Sequence, residues 1–304
     1  MSTGTFFSSG NLQADRRFEY ALSYALQGEM EAAIELLGTI TDMAPHWPAV
    51  PFMLGTWLVE QGLVSEAQGA FQQALSLDPI DRLGAAVKLR MITGDTSGDP
   101  LPAGYVKSLF DEYAPRFDAH LQNDLDYGVP SLMYKAVKTY GPFNSILDLG
   151  CGTGLSAAPF CAQATYIEGV DLSPGMLAEA RKKGIYTSLA QGDLLVHLQA
   201  GSERFDLMLG GDVFNYCGSL APIFAAAKPR LKDGGILAFC LQLWGGDEEV
   251  MLGADHRFSH NKNAALNCLM DAGLDIVSCE NHPLRKDGGV NVAGLIIVGK
   301  AGAC

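Results

Sequence analysis

Apolar and polar positions along this chain follow two periods, and the change from one to the other divides it. Between residues 15 and 92 apolar positions recur every three or four residues, the period of amphipathic helices packed by one face. "FEYALSYALQ" and "EMEAAIELLGTITDM" are separated by Gly28, and "PFMLGTWLVEQ" and "LVSEAQGAFQQALSL" by Gly62; "DRLGAAVKLRMI", from Asp81, adds a fifth helix. "TGDTSGDPLPAG", Thr93 to Gly104, is rich in glycine, proline and small polar residues and reads as a linker. Helical patterning returns in "YVKSLFDEYAPRFDAHL". From Ser145 it yields to short apolar runs interleaved with helical segments, the signature of a doubly wound α/β sheet. Strands are expected at Ser145–Leu149, Tyr166–Asp171, Thr187–Ala190, Phe205–Gly210 and Gly235–Leu241, with helices at Leu155–Ala162 and Pro174–Lys183. "DIVSCENHP" and "VAGLIIVGK" are expected to form a final antiparallel pair.

The helical part repeats itself. Pro45 and Pro79 stand 34 residues apart, and at the same offset Gly28 aligns with Gly62, Ala33 with Ala67 and Leu37 with Phe71. Leu54-Gly55, Ala67, Phe71, Ala74 and Pro79 sit where tetratricopeptide repeats place their packing residues, and region 1–98 resembles a short array of that family. Such arrays usually need at least three units to stand alone. With two, the module is expected to lean on the rest of the protein. It serves either as a packing or dimerisation element, with a homodimer as one outcome, or as a surface that captures a peptide or protein.

A second motif lies in "ILDLGCGTGLSA", Ile146 to Ala157, where a strand runs through three glycines toward the expected helix. That device places backbone amides and a helix N-terminus at the carboxyl edge of the sheet, where ligands of open α/β sheets bind. Dinucleotide loops require G-x-G-x-x-G, but here the third glycine comes one place early, at Gly154, and residue 155 is leucine. The form D-x-G-x-G-x-G, Asp148 through Gly154, resembles motif I of class I S-adenosylmethionine-dependent methyltransferases. "EGVDLS", "QGD", "FDLMLGGDVFNY" and "LKDGGILAFCLQL" follow in that family's order.

The resemblance covers Tyr105 onward. It implies a Rossmann-like α/β sheet of seven strands, the last antiparallel, in residues 99–304, with lid helices over 104–140 and the small all-α domain ahead of them. Its cofactor is S-adenosyl-L-methionine, which leaves as S-adenosyl-L-homocysteine. On the same basis the methionine portion lies against Gly150, Cys151, Gly152 and Gly154, where any Cβ would collide with it, and Asp148 serves its ammonium region. Asp171 accepts the ribose hydroxyls, Leu172 and Met176 join the cofactor site, and Asp193 and Leu194 flank the adenine. Asp212 sits where donor and acceptor meet, or is a turn acid. Tyr113, Arg116 and Phe117 lie on the lid, where a stacked aromatic and an arginine for the cofactor carboxylate are sensible roles beside simple packing.

Composition narrows the partners. The net charge of −13 is shared by both halves and repels phosphate backbones, so no nucleic-acid partner is expected. "GGDVFNY" also lacks the N/D-P-P-Y/F by which amino-methylating nucleic-acid enzymes hold a base. The apolar stretch Ile236 to Trp244 is too short to span a bilayer, and the first fifteen residues carry neither a basic nor an apolar signal region, so no membrane partner is expected. Seven cysteines without a CxxC pair, Cys304 among them, suit reduced thiols in a cytoplasmic protein.

Methyl transfer to a small molecule requires orientation, a dry site and, for a hydroxyl or ammonium acceptor, removal of a proton. His260 is the leading base candidate, with a structural histidine as the equal alternative; Tyr113 is the second catalytic candidate. His120, His256 and Arg285 rank below them, and Asp247–Glu249 either attracts a cationic amine or solvates a loop. His256 and His260 have a zinc-compatible spacing, but no further ligands cluster in the sequence nearby and no metal is expected. The expected function is methyl transfer to an oxygen or nitrogen of a small molecule. The alternative is a methyltransferase or cofactor-sensing protein whose repeat module binds a peptide or protein acceptor.

Overall fold

The computed structural model describes residues 8–95 and 98–302; Cys304 and the first seven residues of the leading stretch lie outside them. The chain divides into two compact units, Met1–Asp95 and Thr96–Cys304.

The first unit is a run of helices: α1 (Leu12–Leu26), α2 (Met30–Met43), α3 (Ala49–Glu60), α4 (Val64–Leu77) and α5 (Ala85–Thr93). The 34-residue offset of the sequence reappears as two helical hairpins in the same register, α2 and α4 starting and ending at that spacing. Gly28 and Gly62 adopt φ of 84° and 76°, which ends α1 and α3 at equivalent points and turns the chain without strain on a side chain. Ala33, Ala67, Leu37 and Phe71 are all buried. Gly55 has a different reason to be glycine, since a Cβ there would lie 2.8 Å from the Phe71 ring, which packs against α3. The fifth helix starts at Ala85 and not at Asp81. Asp81 stands outside it at φ 57° and caps it, accepting from the Ala85 amide at 2.6 Å and the Ala86 amide at 3.0 Å.

Among its described residues the second unit is built on nine strands: β1 (Ser145–Leu149), β2 (Tyr166–Asp171), β3 (Ser188–Gln191), β4 (Phe205–Gly210), β5 (Leu231–Trp244), β6 (Val250–Leu252), β7 (Phe258–Asn261), β8 (Leu274–Asp287) and β9 (Val290–Ala301). The main sheet runs β3-β2-β1-β4-β5-β9-β8, parallel as far as β5, with β9 antiparallel between β5 and β8. Alternate residues of its strands face two apolar layers, Leu147, Met208 and Phe239 on one side and Ile146, Leu207 and Ala238 on the other. The expected seven strands are therefore joined by two more. Beyond the main sheet, Leu243 and Trp244 of an unusually long β5 pair in parallel with His260 and Asn261, and β6 closes a short hairpin on β7.

The helices of this unit are α6 (Ala103–Tyr113), α7 (Phe117–Ala119), α8 (Val129–Val137), α9 (Pro174–Lys183), α10 (Leu194–Ala200), α11 (Ala221–Ala227) and α12 (Lys262–Asp271). An α-helix expected over Leu155–Ala162 is absent; only a single 3-10 turn, Ala158–Phe160, forms there. Pro159 would fall inside that helix, where it has no N–H to donate and its ring clashes with the preceding turn. The glycine loop consequently has no α-helix dipole behind it.

Truncation of the Phe71 ring removes the side chain on which Gly55 and the α3–α4 contact are built. Phe71→Ala is expected to cost about 3–5 kcal/mol of stability in the first unit, read by urea unfolding of the full chain followed by circular dichroism.

Candidate functional site

Strands β1, β2, β3 and β4 all end at one edge of the sheet, and there the second unit encloses a cleft of about 1120 Å³, its open mouth included. The floor is the loop after β1. Gly150, Gly152 and Gly154 adopt φ of 58°, 52° and 93°, values that only glycine takes freely. What each would collide with differs from the expectation. A Cβ on Gly150 would stand 2.2 Å from Val213 Cγ2, and one on Gly154 would stand 2.8 Å from Tyr186 Cε2. Only at Gly152 is the space open. Two of the three glycines thus admit the protein's own side chains, and Gly154 does not line the cleft.

Asp171, at the end of β2, fastens this loop. One carboxylate oxygen accepts from the Gly152 amide at 2.8 Å and the other from the Ser173 amide at 2.8 Å. Both oxygens keep acceptor capacity on the cleft side. Burial raises the pKa of Asp171, which the two amides partly offset. Leu172 and Met176 continue the wall from β2 into α9, and Asp193 and Leu194 extend it from β3 into α10. One oxygen of Asp193 is committed to capping α10, accepting from the Leu195 and Val196 amides at 2.9 and 3.0 Å. Cys151 also lines the cleft, its thiol pushed well up by burial.

Asp148 is not at the cleft surface. It is fully buried behind the loop, accepting from Tyr186 Oη at 2.7 Å, while its Oδ1 has no hydrogen-bond partner among the described residues. Burial raises its pKa to about 7, against the pull of the Tyr186 hydroxyl. The direct ammonium contact expected for Asp148 therefore gives way to a role under the loop.

The cover of the cleft comes from the segment ahead of the sheet. Phe110, Phe117, Leu121 and Leu125 face inward. Tyr113 and Arg116 do not line the cleft: Tyr113 packs edge-on against Phe117 with centroids 5.0 Å apart and hydrogen-bonds His120 Nδ1, and exposed Arg116 lies 5.7 Å over the Tyr113 ring. A catalytic or stacking role for Tyr113 is replaced by support of Phe117. Two acids that sequence reasoning passed over latch this cover. Asp111 accepts from Ser173 Oγ at 2.6 Å and the Gly175 amide at 3.0 Å. Asp118 bonds Thr153 Oγ1 and pairs with Lys183 at 2.6 Å.

His260 is withdrawn from the cleft. It is 3% exposed, its Nε2 donates to the Gly218 carbonyl at 2.7 Å, and burial lowers its pKa to about 4. The unprotonated Nδ1 left by this bond is buried, and His260 does not line the cleft, so it is no general base for a substrate there. His256 bonds Tyr105 Oη at 2.7 Å, and neither it nor Asp247–Glu249 lines the cleft.

Asp212 does line the cleft, at φ 62°, and is held by Asn215 Nδ2 at 2.6 Å and Arg285 Nη1 at 3.1 Å. Arg285 reaches it through an irregularity of β8, where the register shifts between Pro283 and Arg285 and lets consecutive Leu284 and Arg285 both turn inward. Proline within the strand, Pro283, was the signal for that bulge. Tyr216 and Arg257 complete this end.

Residues 147–239 match the family described as "Methyltransferase domain". This segment is a class I S-adenosylmethionine-dependent methyltransferase domain. The methyltransferase domain is 32% identical over 129 residues to a ubiquinone biosynthesis O-methyltransferase of Dinoroseobacter shibae, covering 39% of this chain and 52% of that protein. A malonyl-[acyl-carrier protein] O-methyltransferase of Enterobacter lignolyticus is 28% identical over 140 residues, covering 46% and 54%. The chain thus spans about half the length of these curated relatives. The N-methyltransferase NodS of Bradyrhizobium japonicum, solved with S-adenosyl-L-homocysteine, shares the fold, with a TM-score of 0.51 at 15% identity over 64% of this chain and 97% of that one. S-adenosylmethionine is the cofactor of the methyltransferase domain. The cleft fits it: open space over Gly152, a carboxylate with free acceptor capacity at Asp171 and apolar walls at Met176 and Leu194.

Asp148 supplies a test of the loop's support. Its folded pKa of about 7 lies above the ordinary carboxylate value of 3.8, so its contribution is most favourable below the unfolded pKa and is lost as pH rises through the folded one. Asp148→Asn is expected to flatten the fall in melting temperature between about pH 4 and 7, measured against the unsubstituted protein in matched buffers.

Proposed function

We propose that the protein transfers a methyl group from S-adenosylmethionine to an oxygen or nitrogen of a small molecule. The observation that carries this reading is the cleft itself, closed over by apolar side chains and floored by the Asp171-anchored glycine loop. When bound, S-adenosylmethionine supplies an electrophilic methyl carbon on a positively charged sulfur. The residues divide the remaining work. Asp171 accepts the ribose hydroxyls; Leu172, Met176 and Leu194 hold the adenosyl part; the loop from Gly150 to Gly152 leaves room for the methionine part. Phe117 and Leu121 exclude water, which a dry displacement requires. The O- and N-methyltransferases among its relatives support either acceptor atom.

The first unit belongs to this reading as a pair of tetratricopeptide-like repeats serving as a scaffold, supported by the matched glycines and the matched buried positions of its two hairpins. Peptide capture is the second reading. Exposed apolar residues on α1, Leu12 at 66% and Leu26 at 80%, favour it.

Asp171→Ala is expected to weaken S-adenosylhomocysteine binding by about 10- to 100-fold, the range of a hydrogen bond to a charged group. Calorimetry on a variant whose circular dichroism is unchanged decides it, and an unchanged affinity refutes the assignment.

A further inference from the structure

The far end of the cleft carries a guanidinium, Arg257, that feels the field of Asp212 and Asp255 but whose two Nη groups have no hydrogen-bond partner among the described residues. Arg257 immediately precedes β7, on the opposite side of β1 and β4 from Asp171 and Asp193. Its Nε donates to Tyr216 Oη at 2.9 Å, and its guanidinium lies 5.8 Å over that ring. Among the described residues no carboxylate stands at ion-pairing distance from Arg257, and neither Nη group donates to a protein acceptor. Arg285, next to it in the cleft wall, is by contrast engaged on both arms, with Asp212 at 3.1 Å and Gln242 Oε1 at 2.9 Å. A half-buried guanidinium with a free planar fork matches a carboxylate, which it grips bidentately.

A second observation concerns protons. The described residues lining the cleft include no histidine, lysine or glutamate. Asp212 is tied to Arg285, and burial pushes the Tyr216 hydroxyl up and the Cys217 thiol to about 12. A hydroxyl or ammonium acceptor finds no suitable base here. An acceptor already ionised at neutral pH needs none.

Resting on the methyltransferase reading above, we propose that the acceptor is a carboxylic acid, bound as its carboxylate by Arg257 with its apolar part against Phe110 and Leu125, and that this carboxylate is the group methylated. A lone pair of the carboxylate oxygen forms the O–CH3 bond as the S–CH3 bond breaks and its electron pair returns to sulfur. Carboxylate becomes neutral ester, sulfonium becomes neutral thioether, and no proton moves. Loss of the anionic charge removes its attraction to Arg257 and favours release of the ester.

The test uses the full-length protein saturated with S-adenosylhomocysteine and titrated by calorimetry with acetate, benzoate and 3-phenylpropionate and with their amides. At least one acid should bind, its amide about tenfold or more weaker, and Arg257→Gln should lose about tenfold or more of the acid's affinity while S-adenosylhomocysteine affinity stays within about twofold. Arg257→Lys, which keeps the charge without the fork, should retain part of it. With methyl-labelled S-adenosylmethionine, methyl transfer should run at a rate flat between about pH 6 and 9, and its isolated product should release volatile methanol in mild alkali. Equal binding of acid and amide, binding of none of the three acids, or an alkali-stable product overturns the proposal. Loss of S-adenosylhomocysteine affinity in Arg257→Gln with acid binding intact also overturns it, by assigning Arg257 to the cofactor's own carboxylate. A protein that binds no S-adenosylhomocysteine fails the methyltransferase reading instead.

Discussion

One carboxylate holds the cleft in shape. Asp171 bonds the Gly152 amide with one oxygen and the Ser173 amide with the other, so the turn after β1 and the start of α9 after β2 are fixed to a single side chain. That clamp matters more here than in a loop backed by a helix, because no α-helix follows the glycines and only isolated turn bonds, Gly154 N–H to the Cys151 carbonyl at 2.8 Å and Ala158 N–H to the Gly154 carbonyl at 3.2 Å, brace them. The remaining support comes from close packing beneath. Val213 fills the place of a Gly150 side chain, Tyr186 fills that of Gly154, and the Tyr186 hydroxyl ends on buried Asp148.

Much of this was legible in the chain. The 34-residue offset gave two hairpins with the same helix ends, because a glycine at positive φ and a buried alanine are local requirements that recur whenever the unit recurs. Strand positions were readable because parallel strands buried on both faces form continuous apolar runs. Asp171, Met176 and Leu194 were named from the family resemblance of their motifs, and all three line the cleft at the edge where the strands end.

What sequence reasoning missed was assembled from afar or set by exceptions. Tyr216 and Arg257 meet across 41 residues, through a hairpin too short to declare itself by periodicity. Arg285, ranked low from the sequence, turns inward because β8 slips register around Pro283. His260 looked functional for its chemistry and proved to be held by a carbonyl, a distinction that burial makes and residue type does not. The glycines appeared to make room for a ligand, yet two of three make room for neighbours.

The latch at Asp118 has a kinetic consequence. The cover of the cleft is held to the glycine loop by Asp118 against Thr153 and Lys183, and that ion pair is only half-buried. Such pairs weaken as salt is added, whereas the apolar seal made by Phe117 and Leu121 does not. Exchange of bound molecules with the solvent is thereby coupled to the ionic composition of the medium, so residence time and equilibrium affinity respond separately to the same change in salt.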